Sequence, residues 1–244
     1  MNTLLIYSKE EAERNSFAVS VFEKELGAKL VLQNEVSFDE KADCVINRTN
    51  SGEIALGFEK RGIRVFNPSS LSFLANDKQR CYEFMSKNGI EIMPVNQTKA
   101  PVVIKPTDGK GGQGVRLVES GEFEIENGFV YQKPASDLGK DLRVWLIGGE
   151  IICSILRESK TDFRSNFCLG GSATPYTLSK EETALVMKIQ SLIKYDYIGI
   201  DFVFDKGRAV FNEIEDSVGA RMVYTCTNTD ILSLYCDYIK KEMS

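Results

Sequence analysis

The beginning of the chain alternates two patterns, and few folds satisfy that alternation. Leu4–Tyr7, Leu30–Leu32, Cys44–Ile46 and Ile63–Phe66 are apolar runs of strand length. Helical patterns lie between them. Ser8 and Glu11 have the spacing of a capping box, and Ala18, Val21, Phe22 and Leu26 form a buried stripe that Gly27 ends. A second helix is expected at 53–61. Strands that alternate with helices predict a small parallel sheet.

Near Asn76 the pattern changes. Asn76 and Gln79 read as another capping box, opening a helix that runs to Asn88-Gly89. Mostly strands follow: 102–105, 115–118, 129–132, 142–147 and 150–156, the last two joined by a Gly148-Gly149 turn. Ser179 and Glu182 cap a helix carrying Leu185, Ile189, Leu192 and Ile193. Strands at 198–204 and 209–215 flank Lys206-Gly207, and a last helix covers 230–241. The expected fold class is α/β with α+β lobes. The 244 residues suffice for a core without disulfides or a structural metal.

Composition removes whole classes of chemistry. The chain has no histidine, so Ser-His-Asp, Cys-His and His-metal sites are excluded. Catalysis must rest on carboxylates, lysine, arginine, backbone dipoles and hard cations. None of the six cysteines forms a CxxC pair, which fits reduced thiols in a cytoplasmic protein. The net charge of −5 gives no general attraction for nucleic acid or anionic lipid. MNTLLIYSKE reads as a strand rather than a signal peptide, and no apolar stretch approaches a membrane span. Neither a nucleic acid nor a membrane is expected as partner, and a homo-oligomer is left open.

Three segments carry chemistry. In VVIKPTDGKGGQGV, Gly109, Gly111 and Gly114 satisfy G-x-G-x-x-G. A dinucleotide loop must open a helix, whereas this one opens into alternating Val115–Val118. What remains is a glycine-rich turn that brings backbone N–H groups close to a polyphosphate, with Lys105 before it, or an ordinary hairpin. In GIDFVF and FNEIED, Glu213 and Glu215 share a strand face. A three-residue loop at 206–208 would put Asp201 opposite Glu213; a two-residue turn would put it opposite Asn212, on the wrong face. Such crowded carboxylates suit Mg²⁺ or Mn²⁺, or form a solvated acidic edge. The third segment, 137–170, holds Arg143, Arg157 and Arg164 with Asp141 and Asn166 nearby. These are phosphate-binding groups or surface arginines.

In this order the segments resemble the ATP-grasp superfamily, most closely its RimK-like carboxylate-amine ligases. The resemblance covers roughly residues 63–222. It is carried by NPSSLSFLANDKQR, by the lysine and glycine loop, by KDLRVWLIGGEIICSILRESKTDFRSNFCLGGSA and by AVFNEIEDSVGARM. It implies an ATP-grasp fold with a short N-terminal βαβ domain: a pre-ATP-grasp domain at 1–75, a small lobe at 76–134 and a large lobe at 135–244.

The resemblance also implies residue roles. Lys78 and Lys105 would contact ATP phosphates beneath a loop containing Gly111, Gly112 and Gly114. Gln132, Lys133 and Ala135 would receive adenine, Asp141 the ribose and Arg143 the phosphates. Arg164 and Asn166 would sit at the γ-phosphate, with Arg157 a further catalytic arginine. Arg221, in a stretch that departs from the family, is a candidate to clamp a substrate carboxylate, or it pairs with Asp216 or Glu215 and fixes the loop. Asp201, Glu213 and Glu215 would bind Mg²⁺ or Mn²⁺, two ions in all. The partners implied are ATP, a carboxylate substrate and an amine, an amino acid.

The sequence departs from the family in places. Glu215 replaces an Asn, Lys133 replaces a hinge Glu, and DSVGARMVY differs from the family's segment bordering the acceptor. NRTN at 47–50 stands where relatives often place an arginine facing the substrate. The expected reaction is amide formation through an acylphosphate. A kinase on the same scaffold and a non-catalytic nucleotide-binding module are the alternatives.

Overall fold

The computed structural model describes residues 1–165 and 171–244. Its N-terminal part is a parallel sheet of β1 (Thr3–Tyr7), β2 (Lys29–Leu32), β3 (Cys44–Asn47) and β4 (Arg64–Phe66), in the order β2-β1-β3-β4. β1 is buried along its whole length, which explains its unbroken apolar sequence. Leu4 and Ile6 pack with Ile54 and Phe58 of α3 (Gly52–Glu59). Leu5 and Tyr7 face a second cluster, shared with Phe22 and Leu26 of α2 (Ser16–Leu26) and with Tyr235 and Ile239. One continuous core thus joins the N-terminal sheet to the end of the chain.

The first helical stretch is broken. α1 (Lys9–Arg14) ends at Asn15, whose side chain bonds the Glu11 carbonyl and carboxylate. The Glu11 N–H donates to Ser8 Oγ, while its carboxylate binds Asn15 and Arg14 instead of closing the box. The cap of the next region also differs from expectation. α4 (Ser69–Ala75), which local periodicity does not mark although NPSSLSFLANDKQR resembles the family's entry helix, precedes Asn76, and Asp77 caps α5 (Lys78–Lys87) by accepting from Arg80 N at 3.0 Å. Asn76 bonds Ser72 O and Asp216 instead.

Two antiparallel sheets complete the fold. The small one is β5 (Val102–Pro106), β6 (Arg116–Val118) and β7 (Phe129–Gln132), in the order β6-β5-β7. The large one is β8 (Lys140–Ile147), β9 (Glu150–Glu158), β10 (Ser172–Pro175), β11 (Tyr197–Asp205) and β12 (Arg208–Glu215), ordered β10-β9-β8-β11-β12. α6 (Lys180–Gln190) starts at the expected capping box of Ser179 and Glu182. Its Val186 and Ile189 cover one face of the large sheet with Leu142, Val144, Ile198 and Ile200.

The opposite face is divided along the strands. Trp145 and Tyr197 form its apolar end, in one core with residues of α7 (Arg221–Cys226) and α8 (Ile231–Glu242). Two and four residues before Trp145, the same alternation places Arg143 and Asp141, with Asp201 and Arg157 on the neighbouring strands. The polar end of this face is the floor of the site.

Candidate active site

The β11–β12 register settles how the carboxylates meet. The turn is the two-residue Lys206-Gly207, both at positive φ, with Asp205 opposite Arg208. Continued unbroken, that ladder would put Asp201 opposite Asn212. A β-bulge adds one residue to β12, so Phe202 pairs with Phe211 and Asp201 with Glu213. Ligand oxygens of Asp201, Glu213 and Glu215 lie within 4.8 Å of one another.

These carboxylates are embedded in a chain of alternating charge. Arg157 bonds Asp141 at 2.5 and 2.7 Å and reaches Asp201 Oδ2 at 2.8 Å. Arg143 grips both oxygens of Asp201 at 2.6 Å and Glu215 Oε1 at 2.9 Å. Burial alone would raise the Asp201 carboxyl, but the two guanidiniums outweigh it and leave the group below the usual range. Glu213 behaves oppositely. Burial pushes it up, Glu215 and Asp201 add to that, and Lys78 at 3.4 Å only partly offsets them. A divalent cation relieves this kind of crowding, and an all-oxygen donor set fits Mg²⁺ or Mn²⁺. Glu213 and Glu215 are the partly exposed members, with side chains 26% and 29% accessible against 2% for Asp201.

Above this floor, between the two antiparallel sheets, lies a cleft enclosing about 860 Å³ of space continuous with solvent. Lys78, Lys105, Gly111, Gly112, Gln132, Lys133, Ala135, Asp141, Arg157, Arg164, Asp201 and Glu213 all line it. Lys78, the first residue of α5, has its N–H on Thr107 O and its ammonium on the Gly109 carbonyl, which ties the helix to the glycine hairpin. Lys105 points from β5 to Asn212 Oδ1 at 2.8 Å and Tyr82 OH at 3.2 Å. Burial lowers its pKa to about 8. Arg164 is held by Asp162 and donates to Gly112 O at 3.1 Å, tying the large lobe to the hairpin.

The far end of the cleft is a short backbone ledge. Lys133 N donates to Pro94 O, Ser136 N to Asp205 and Asp137 N to Phe204 O, while Pro134 has no N–H. Ala135 lines the cleft, and its N–H has no protein partner among the described residues. The Gln132 side chain turns inward, to Met93 O and Tyr82.

The remaining sequence candidates fall elsewhere. Gly114, at positive φ, belongs to the hairpin without lining the cleft. Arg143 lies in the floor beside it. Arg221 opens α7, is exposed, and donates to Arg14 O at 3.1 Å. Asn166 lies outside the described residues. Arg48, within NRTN, is buried, donates to Val218 O at 2.6 Å and lies over the Tyr197 ring. Sequence reasoning missed Asn212 and Tyr82. Strict alternation turns Asn212 away from Glu213, and Tyr82 sits on a helix for which the sequence suggested only Lys78 as a site residue.

A smaller depression of about 330 Å³ adjoins the cleft through Lys78, Gly109 and Glu213, and is walled by Asn50, Asn76, Asp108, Lys110, Glu215 and Asp216. In Lys110, burial lowers the ammonium against the pull of Glu215 and Asp216.

A lysine-lined interlobe cleft ending at three carboxylates defines a nucleotide-binding, cation-dependent class of protein. Comparison with known proteins places it further. Residues 75–239 match the family model of the RimK-like ATP-grasp domain, and the chain belongs to that family. It is 31% identical over 209 residues to a protein of Vibrio vulnificus named probable alpha-L-glutamate ligase, covering 75% of this chain and 69% of that one. It is 28% identical to an uncharacterised protein of Mycoplasma genitalium, over 98% and 96% of the two chains. In fold it is similar to the ATP-grasp ligase PsnB, solved with a minimal precursor variant, Mg and ADP, with a TM-score of 0.74 at 16% identity over 99% and 98% of the chains.

Proposed function

We propose that this protein, an ATP-dependent carboxylate-amine ligase, uses the cleft for ATP and the adjoining depression for the groups to be joined, and adds an amino acid to a peptide or small acid. The V. vulnificus relative supports an amino acid as the amine. The observation carrying the reading is that two half-buried lysines and three carboxylates converge where the cleft meets a second opening. We keep the division into an N-terminal domain at 1–75, a small lobe at 76–134 and a large lobe at 135–244.

In this reading Lys133 O and Ala135 N–H receive adenine at the ledge. Lys78 and Lys105 neutralise the phosphates, and the hairpin of Gly111, Gly112 and Gly114 covers them with backbone N–H groups. Asp201, Glu213 and Glu215 would hold Mg²⁺, two ions in the fullest occupancy, and the metal would supply neutralisation of phosphate charge. Asp141 is bonded through both oxygens to Arg157, so it meets a ribose only at the expense of that pair.

The acid's carboxylate oxygen attacks the γ-phosphorus in line, ADP leaves, and the amine nitrogen then attacks the acyl carbon and expels phosphate. The chain contributes position and charge, not a nucleophile. Lys105 and Arg164 stabilise charge on the transferred group, Arg157 and Arg143 fix Asp201 and Glu215, and the closed hairpin excludes water.

The test is ADP release from MgATP over a panel of amino acids paired with acidic peptides and small acids, with mass spectrometry of the products. Amide product stoichiometric with ADP is expected. A phosphorylated hydroxyl product would overturn the reading in favour of a kinase.

A further inference from the structure

β12 has one residue more than β11 across the bulge, and that residue is Asn212. Phe211 pairs with Phe202 and Glu213 with Asp201, so Asn212 has no residue opposite it. The bulge turns it into the cleft beside Glu213, where regular alternation would have turned it away. There its Oδ1 accepts from Lys105 Nζ at 2.8 Å, a bond that crosses from the large lobe to the small. The second partner of Lys105 is the Tyr82 hydroxyl at 3.2 Å, with the ammonium 5.7 Å from the centre of the Tyr82 ring.

We infer that Asn212 is a positioning residue for the nucleotide: its amide oxygen holds the Lys105 ammonium against the cleft wall with one N–H left for a phosphate oxygen. The inference rests on the reading of the cleft as the ATP site. An ammonium has three N–H donors. Asn212 and Tyr82 take two, and no third protein acceptor is present among the described residues. The groups facing Lys105 besides these are Glu213 and Asp201, which favour its charged form, and Lys78, which opposes it. Burial is the largest influence and lowers the group to about 8, so loss of an acceptor shifts it further toward the neutral form. A neutral acceptor suits the task. A carboxylate at this position would hold Lys105 charged but compete with the phosphate for it.

The experiment is calorimetric binding of MgADP from pH 7 to 9.5 by wild type, N212L, N212D, K105R and the double variant N212L/K105R. Over most of this range the nucleotide's own charge is constant, because a terminal phosphate has its last pKa at about 6. Wild-type affinity should fall as pH passes through about 8. In N212L the fall should begin at lower pH, with Kd at pH 7.5 raised about tenfold, the scale of a hydrogen bond to a charged group. In N212D the fall should move to higher pH while affinity at pH 7.5 drops. K105R and N212L/K105R should show no fall. If N212L does not fold, N212D decides by the same shift. A fall at the same pH in wild type and both Asn212 variants overturns the inference, including the case where Kd rises equally at every pH. Absence of MgADP binding by wild type overturns the nucleotide reading itself and this inference with it.

Discussion

Asp201 faces Glu213 across two antiparallel strands because β12 accommodates one extra residue, Asn212, between the Lys206-Gly207 turn and the acidic cluster. Removing the bulge would return Asp201 to Asn212 and break the convergence of the three carboxylates. The bulge therefore does two things: it assembles the cation site and aims Asn212 at Lys105.

Glu213→Gln and Glu215→Gln each remove the negative charge and one oxygen from one of the two partly exposed carboxylates. Both should abolish the rise in melting temperature that millimolar Mg²⁺ gives the wild type, since a ligand stabilises only the state it binds. Turnover should fall at least about a hundredfold, the scale of losing one electrostatic stabiliser. Differential scanning fluorimetry with and without Mg²⁺ checks the first point. An unchanged Mg²⁺ shift in both variants would contradict the ligand assignment.

If Lys105 contacts the nucleotide as proposed, apo stability and nucleotide binding should respond to pH in opposite directions. Its folded value of about 8 lies below the ordinary 10.5, so between these values the unfolded chain binds more protons. The contribution of Lys105 to stability accordingly rises as pH climbs from 8 to 10.5. The added stabilisation by MgADP should shrink over the same interval, because the phosphates need the ammonium. The melting temperature of wild type relative to Lys105→Met, followed with and without MgADP, reads both trends.

How much of this was legible in the sequence depended on whether local pattern or long-range packing set the feature. The parallel sheet, most of the later strands and the capping box at Ser179 follow from local periodicity and side-chain chemistry, while the grouping of those strands into two sheets and the short β10 do not. Periodicity does not mark α4 and α7, because seven and six residues are too few to establish a helical period. Their form depends on packing, as when Ser72 donates to buried Asp216 at 2.6 Å. The acidic residues were visible as candidates, but Asn212 was not. A bulge leaves no mark in a run such as FNEIE, and the turn length alone pointed to the wrong partner for Asp201.

Gly139 and Gly111 both have positive φ, but only Gly139 is closely packed. A Cβ on Gly139 would meet Ser159 O at 2.5 Å and Asp162 O at 2.9 Å, whereas nothing lies within 4 Å at Gly111. Gly139 N also donates to Phe163 O, beside Arg164. Gly139→Ala should destabilise by about 2–4 kcal/mol, combining backbone strain with steric displacement. It should also reduce turnover by shifting the Arg164 loop. Gly111→Ala should cost about 1 kcal/mol. Urea unfolding of the two variants makes the comparison, and equal losses would contradict the packing argument.

Arg221→Lys distinguishes anchoring from substrate binding. Its guanidinium reaches Arg14 O and lines neither the cleft nor the depression, which favours anchoring. The KM values for ATP, acid and amine should stay within about twofold, and stability should fall by no more than about 1 kcal/mol, the scale of one hydrogen bond. A selective rise in the KM of the acid would restore Arg221 to the substrate site.

The central claim is that the carboxylate of one substrate is activated by direct attack on the γ-phosphorus. With the acid identified by the ADP-release screen and labelled with ¹⁸O in its carboxylate, turnover with MgATP and the amine should place one ¹⁸O in each phosphate released. Amide formation with unlabelled phosphate would contradict an acylphosphate intermediate and the arrangement of the site proposed here.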